Sequence, residues 1–132
     1  MRLFFKRNLK EKDSQKYSSI DCPDHVESLT KDTFNEFIKK YPLSVIDFWG
    51  PWCAPCKTML PRIRRLERLY HGRVAFGRVN TMDEKDLAKQ YNIMGIPHFC
   101  FFHFNKKIGG ATGLKSIGEM KSLIDLYLTK YY

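Results

Sequence analysis

The sequence has no apolar run long enough to cross a membrane. A spanning helix needs roughly 18 consecutive apolar residues, and Lys, Arg, Asp or Pro interrupts every long apolar stretch of this 132-residue chain. The apolar segment near the start covers only residues 3–5 before charge returns, which is too short for the core of a signal peptide. We therefore expect a cytoplasmic protein that is not attached to a membrane.

Acidic residues are scarce. The chain has 14 Asp and Glu against 23 Lys and Arg, which gives a formal net charge of +9. Such an excess favours acidic partners or weak, nonspecific attraction to nucleic acid. The sequence has no organised motif in which aromatic residues alternate with Arg and Lys for stacking on bases. We therefore predict no specific nucleic-acid partner, and a solvated basic surface is the simpler interpretation.

The alternation of strand and helix patterns indicates one α/β domain. Residues 1–20 are charged and have no apolar periodicity, so they are predicted to form a basic, flexible extension before a domain at residues 21–132. Within that domain the order of patterns predicts a mixed central sheet flanked by helices on both faces. Strands are predicted at residues 25–29, 43–49, 74–80, 98–104 and 106–111, the last with a bend at Gly109 and Gly110. Helices are predicted from an N-cap at Thr30 to near Pro42 and at about residues 53–70, 83–91 and 116–131.

Cysteine is also sparse, and only one pair is close in sequence. Cys53 and Cys56 are three residues apart, whereas Cys22 and Cys100 stand alone. A tetrahedral zinc site needs about two further ligands, usually in a second close pair, and the four histidines form no i, i+4 pair. We therefore predict no metal site. The close pair is interpreted as redox-active, with two reduced structural cysteines as the alternative.

The surroundings of this pair favour redox chemistry. An apolar strand and a short loop precede Cys53, which is predicted in the first turn of a helix. Unpaired N–H groups and the helix dipole favour a thiolate there, so Cys53 is the candidate nucleophile and Cys56 the more buried resolving cysteine. Asp47 lies within the apolar strand, where burial would raise its pKa. The alternative is a strand-end carboxylate that is open to solvent.

Residues 47–57, with the sequence DFWGPWCAPCK, resemble the active-site segment of the thioredoxin family, although Ala54 stands where most members have Gly. The resemblance covers about residues 24–131. It implies a thioredoxin fold and a thiol–disulfide oxidoreductase that reduces protein disulfides without a bound cofactor. The separate motifs that support it are Pro61 in the second helix, Asn80 at a strand end, Gly95-Ile96-Pro97 and Gly113.

The resemblance also implies roles for individual residues. Cys53 and Cys56 would alternate between dithiol and disulfide, with Asp47 relaying a proton to or from Cys56. Pro97 would follow a cis peptide bond and face the cysteines, while the backbone of Ile96 pairs with substrate. A flat apolar patch that docks partner proteins is expected from Trp52, Pro55, Ile96 and Gly113, with Trp49 beneath it.

Three further residues are candidate modulators of the pair. Arg78 stands where many family members have a Lys near the buried carboxylate; it would hold Asp47 ionised or lie at the surface. Lys57 would favour the thiolate or be a solvated charge. His98 replaces the Thr that commonly follows the cis-proline; it would titrate near neutral pH and alter partner choice, or face solvent.

Other positions are not explained by the family pattern. Cys100 is expected to pack as a small apolar residue, and Cys22 to be available for an adventitious intermolecular disulfide. The second predicted helix is basic where many family members have an acidic balance, so partner preference is expected to differ. The basic cluster consists of Arg62, Arg64, Arg65 and Arg68.

The residue directly before Cys56 indicates the direction of electron flow. Family members with Pro at this position, here Pro55, tend to be reductants, whereas His is associated with oxidants and isomerases. We therefore expect a monomeric reductant of disulfide-containing proteins, recharged by a thioredoxin reductase linked to NADPH or ferredoxin. An oxidase or isomerase of the same fold and a docking module without turnover are the alternatives.

Overall fold

The computed structural model describes residues 21–132, so the extension predicted at residues 1–20 lies outside the described part of the chain. Within that part, strands and helices follow one another in the predicted order. The strands are β1 (Glu27–Ser28), β2 (Ser44–Trp49), β3 (Ala75–Asn80), β4 (His98–His103) and β5 (Lys106–Thr112). The helices are α1 (Phe34–Lys40), α2 (Ala54–Leu69), α3 (Lys85–Gln90) and α4 (Ile117–Tyr131).

The strands form one mixed sheet in the order β1-β3-β2-β4-β5. The central strand β2 runs parallel to β3 and antiparallel to β4. Helices α1 and α3 pack on one face of this sheet, and α2 and α4 pack on the other. The predicted architecture, a mixed sheet with helices on both faces, is confirmed.

Strand β2 separates two apolar cores. Ile46 and Phe48 point into the core beneath α1 and α3, whereas Val45 points into the core beneath α2 and α4, because successive side chains of a strand alternate between faces. Asp47 therefore lies on the α2 face, where the register places it opposite Arg78 of β3. The near-continuous apolar run of this strand predicted burial on both faces, and its first five residues are buried.

Two helix starts differ from the prediction. Helix α1 begins at Phe34 after Thr33, because Thr30 starts a turn instead. The N–H of Thr30 donates to Oγ1 of Thr33 at 2.9 Å, and its carbonyl accepts from the N–H of Phe34 at 2.9 Å. Two threonines three residues apart are equivalent N-cap candidates in a sequence. Helix α2 begins at Ala54, so Cys53 is its N-cap residue rather than part of its first turn.

The two edges of the sheet are less regular than predicted. Strand β1 has 2 residues where a strand was predicted at 25–29. Strand β5 passes beneath the ring of Tyr127, where a Cβ added to Gly109 would lie 2.7 Å from Cζ of the tyrosine. A side chain at this position would therefore have to displace the Tyr127 ring. The β4–β5 register shifts between Phe101 and Phe102, close to the bend predicted at this glycine.

Helix α4 closes the fold and fixes the loop before it. The N–H of Glu119 donates to Oγ of Ser116 at 3.0 Å, and the N–H of Ser116 donates to Oε1 of Glu119 at 3.2 Å. This reciprocal capping box sets where the helix begins. Across residues 21–132, no helix combines the length and the apolar character needed to cross a membrane.

Candidate active site

A disulfide joins Cys53 and Cys56 at the start of α2, with 5.2 Å between their Cα atoms. Because Cys53 is the N-cap residue, its Sγ lies at the positive end of the helix. The N–H of Cys56 donates to Sγ of Cys53 at 3.2 Å. After reduction, this donor and the helix dipole favour a thiolate on Cys53 over one elsewhere in the helix.

The two sulfurs differ in access to solvent. Cys56 is only 1% exposed, whereas Cys53 is partly exposed. An external disulfide can therefore reach Cys53 but not Cys56. The arrangement supports the predicted division between an attacking and a resolving cysteine.

Asp47 is a carboxylate inside the apolar core of the α2 face. Burial raises its pKa from 3.8 to about 6, and the nearby charge of Arg78 opposes this rise. Nε of Arg78 lies 3.5 Å from Oδ2 of Asp47. Among the residues described, none donates a well-aligned hydrogen bond to either carboxylate oxygen. The predicted rise in pKa is confirmed, and the alternative of a solvent-exposed Asp47 is wrong.

Arg78 links this carboxylate to the aromatic side chain at the end of β2. Its Cζ lies 4.2 Å from the centroid of the Trp49 ring, a cation–π distance. The Arg78 side chain is 14% exposed, so the alternative of a surface arginine is wrong. Burial lowers its pKa and Asp47 opposes that change. The stacking on Trp49 is a role that the sequence analysis missed.

The loop before β4 faces the cysteines. The Ile96–Pro97 peptide bond is cis, as the resemblance implied, and the carbonyl oxygen of Ile96 lies 3.8 Å from Sγ of Cys53. The N–H of Gly113 donates to the carbonyl oxygen of Pro97 at 2.8 Å. Gly113 has a φ of +93°, which favours glycine. The structure therefore brings together the backbones of Ile96, Pro97 and Gly113 beside Cys53, and we call the surface that they form the substrate groove.

Large apolar side chains are exposed around this groove. Trp52 is 87% exposed, and Pro55 and Ile96 are also accessible. Met94 is 87% exposed and Leu114 is 50% exposed, each one residue from a groove glycine. The sequence analysis missed these last two. Their position directly before Gly95 and directly after Gly113 was the available signal.

His98 is half-buried beside β5. Its Nδ1 lies 2.7 Å from Oγ1 of Thr112, and its Nε2 is buried without a hydrogen-bond partner among the residues described. Burial, together with the charge of Lys107, lowers its pKa below the ordinary 6.5. The side chain is half-buried rather than fully open to solvent. Its effect on partner choice stays a prediction.

Other side chains near the pair have simpler surroundings. Lys57 is exposed one turn after Cys53, as expected for a solvated charge. Arg62 donates from Nη1 to the carbonyl oxygen of Lys115 at 2.7 Å, which ties α2 to the loop that follows Gly113. No sequence signal pointed to this bond, because its partners are 53 residues apart.

The two remaining cysteines are buried in the core beneath α1 and α3. Cys100 is 0% exposed and burial raises its pKa to about 11, so its predicted packing as an apolar residue is confirmed. Cys22 is 7% exposed, and burial raises its pKa as well. This burial argues against an adventitious intermolecular disulfide of Cys22, which the sequence had left open. Residues 21–132 contain no cluster of three or more His, Cys, Asp or Glu placed to hold a metal ion.

Thiol labelling will separate the four cysteines. In the reduced, folded protein near pH 7, we expect iodoacetamide to modify Cys53 first, because it is partly exposed at a helix N-terminus. Cys22, Cys56 and Cys100 are buried, so we expect them to react at least about tenfold more slowly. Mass spectrometry of peptides after timed pulses measures the order, with the unfolded chain as control. Early labelling of Cys100 would contradict the packing described above.

Comparison with known proteins places this geometry in a family context. A family model described as Thioredoxin matches residues 25–126. Thioredoxin M-type, chloroplastic, from Spinacia oleracea is 32% identical over 120 residues, which cover 86% of this chain and 66% of that protein. Thioredoxin from Buchnera aphidicola is 30% identical over 101 residues, covering 76% of this chain and 93% of that protein.

A solved structure shares the fold. A mutant thioredoxin from Halobacterium salinarum superposes with a TM-score of 0.76 over 82% of this chain and 95% of that chain. The two sequences are 21% identical, so the likeness bears on the fold alone.

Proposed function

Because this chain belongs to the thioredoxin family and is a thiol–disulfide oxidoreductase, we propose that it works as a reductant of disulfides in other proteins. One observation carries the proposal. The Cys53–Cys56 disulfide lies at the N-terminus of α2, with only Cys53 accessible and the Ile96–Pro97 loop beside it. In the reduced protein, a substrate disulfide can therefore reach the sulfur of Cys53 but not that of Cys56. We place the activity in the domain of residues 21–132.

The cycle has two thiol–disulfide exchanges. The Cys53 thiolate attacks one sulfur of the substrate disulfide, whose other sulfur leaves as a thiolate and takes up a proton. Cys56 then loses its proton and attacks Sγ of Cys53, which breaks the mixed disulfide and releases the second substrate thiol. The substrate gains two electrons and two protons, and the cysteine pair becomes a disulfide. Since the two sulfurs carry both electrons, the cycle needs no bound cofactor.

Asp47 is the candidate base for the second exchange. A carboxyl group with a pKa of about 6 is mostly ionised at pH 7, yet its basicity is higher than that of an ordinary aspartate. It lies on the α2 face of β2, the face that carries Cys56. We infer that Asp47 accepts the proton of Cys56, and that Arg78 holds its carboxylate in place.

Substrate proteins and a reductase are the partners of this activity. We propose that Trp52, Pro55, Ile96 and Gly113 form the docking patch, where the backbone of Ile96 pairs with an extended segment of substrate. We further propose a monomer in the cytoplasm. The name of the spinach relative includes the word chloroplastic, which makes an organelle the alternative location.

The redox midpoint of the Cys53–Cys56 couple tests whether the protein reduces or oxidises its substrates. The protein is equilibrated with dithiothreitol or glutathione buffers, and its tryptophan fluorescence is followed. We expect a midpoint potential of about −270 mV, which is typical of thioredoxin. A value near about −120 mV, as in strong disulfide oxidants, would replace the reductant with an oxidase or isomerase. Cys53→Ser serves as the control without a couple. Absence of any reversible couple in the unmodified chain would favour the docking module.

A further inference from the structure

Helix α2 carries a strong excess of positive charge. Its only acidic residue, Glu67, is 4% exposed and faces inwards, with Oε2 3.3 Å from Nδ1 of His71. The outer surface of the helix is therefore basic, and no acidic residue of α2 itself compensates that charge. The basic residues of α2 are Lys57, Arg62, Arg64, Arg65 and Arg68.

Three of these residues form a line, which we call the basic stripe: Lys57, Arg64 and Arg68. They are seven and four residues apart, so their side chains leave the same flank of the helix. All three are exposed. Among residues 21–132, none of them makes a side-chain hydrogen bond or an ion pair. At 1.5 Å per residue, the stripe is about 16 Å long.

The basic stripe begins at the active site. Lys57 follows Cys53 by one helical turn, and exposed Trp52 directly precedes that cysteine. Burial chiefly, and the charge of Arg64 to a smaller degree, lower the pKa of Arg78, so the charge of Arg64 acts on this part of the site. The stripe is thus continuous with the proposed docking patch.

We propose that the basic stripe binds an acidic, extended segment of the disulfide-bearing protein substrate and so selects among substrates. The inference rests on the proposed function. Like charges four residues apart, such as Arg64 and Arg68, repel each other on a helix, and carboxylates from a partner would relieve that repulsion. At about 3.3 Å per residue, an extended segment of about five residues spans the stripe.

The chemistry of the stripe favours a protein partner over nucleic acid. Residues 57–68 contain no aromatic side chain on which a base could stack. Among residues 21–132, the exposed Phe, Tyr or Trp nearest in sequence to this segment is Trp52, which belongs to the docking patch. A polypeptide that places its disulfide over Cys53 can continue along α2 in extended form, with its acidic side chains facing the arginines.

Three disulfide-bonded peptides test the proposal. They share one disulfide and differ in a flanking segment of about six residues, which is rich in Glu, Gln or Lys. Stopped-flow tryptophan fluorescence gives the second-order rate constant with the pre-reduced full chain. We expect the Glu peptide to react about tenfold faster than the Gln peptide at low salt, and the advantage to shrink in about 0.5 M NaCl. The Lys peptide should be slowest.

A matched pair of variants locates the effect. R64Q/R68Q removes two charges from the stripe and leaves the cysteines, Asp47 and the groove intact. In this variant, we expect the ratio of the Glu-peptide to the Gln-peptide rate constant to fall at least about threefold. The rate constant for the Gln peptide should not change. K31Q/K39Q removes the same charge from exposed positions of the opposite layer and should keep the advantage. If both variants lose the advantage of the Glu peptide equally, the net charge of the protein and not the basic stripe is its cause, and the proposal is overturned.

The other outcomes are also decisive. Equal rates for the Glu and Gln peptides would overturn the inference and leave the proposed function standing. If no peptide is reduced, fluorescence anisotropy with labelled peptides still separates the two ideas: tighter binding of the Glu peptide would keep the stripe, and equal binding would reject it. Binding of a short single-stranded RNA that R64Q/R68Q abolishes, without any peptide preference, would assign the stripe to nucleic acid instead.

Discussion

Replacing Cys56 with Ser will stop turnover and leave the protein joined to its substrate through Cys53. The variant keeps the accessible sulfur at the helix N-terminus, so the first exchange still occurs. Without the buried second sulfur, no intramolecular attack can release the mixed disulfide. Reduction of a disulfide protein should fall to the rate of the buffer alone. Non-reducing electrophoresis and mass spectrometry will detect the adduct.

Two controls give this experiment its meaning. Cys53→Ser should be equally inactive but should form no adduct, because Cys56 is 1% exposed. Cys22→Ala should retain full turnover, since that thiol is buried in the opposite core. An adduct on Cys56 in the Cys53→Ser variant would reverse the proposed roles.

Replacing Asp47 with Asn will make the folded protein more stable at pH 7.5. The carboxyl group has a pKa of about 6 when folded against 3.8 ordinarily, so the unmodified chain loses stability as the pH rises from about 4 to about 6. That difference corresponds to about 3 kcal/mol. Because the pKa of about 6 already includes the attraction of Arg78, we expect a gain of about 3 kcal/mol at most.

Urea unfolding of the oxidised proteins at pH 4 and pH 7.5 measures this effect. The two proteins should have similar stability at pH 4 and diverge at pH 7.5. Asp83→Asn, at an exposed position, is the control and should show no such divergence. Destabilisation by Asp47→Asn at pH 7.5 would mean that the ion pair with Arg78 outweighs the cost of burial.

The Asp47→Asn variant should also be slower in the second exchange, in which Cys56 attacks the mixed disulfide. Loss of a general base typically costs 10²-fold or more, but a thiol can also ionise through solvent, so we expect about 10- to 100-fold at pH 7. The rate of mixed-disulfide resolution should approach that of the unmodified chain as the pH approaches the pKa of the thiol. A pH-independent loss would indicate a structural role for Asp47.

The central strands and the longer helices could be predicted from the sequence because each has a local pattern. Strand β2 is an apolar run, and α2 and α4 have apolar residues at helical spacing. Asp47 stood out because an acid within such a run has to be buried. The cysteine pair could be predicted as the redox site from its spacing and from the helix that begins there.

Contacts between distant segments could not be predicted in the same way. The stacking of Arg78 on Trp49 depends on the β2–β3 register, and the bond from Arg62 to Lys115 depends on how α2 meets a loop 53 residues later. The contact of His98 with Thr112 likewise depends on the pairing of β4 with β5 rather than on its neighbours in sequence.

The edges of the sheet bear on how this protein avoids aggregation. An open edge strand can pair with extended segments of other chains, which is a hazard for a protein whose partners present such segments. In the part of the chain described, β1 offers only 2 residues at one edge. At the other edge, β5 begins with exposed Lys106 and Lys107 and has an irregular register. Neither edge therefore favours the pairing of an extended chain with the sheet. Extended segments of substrate bind more favourably beside the cysteines at the N-terminus of α2.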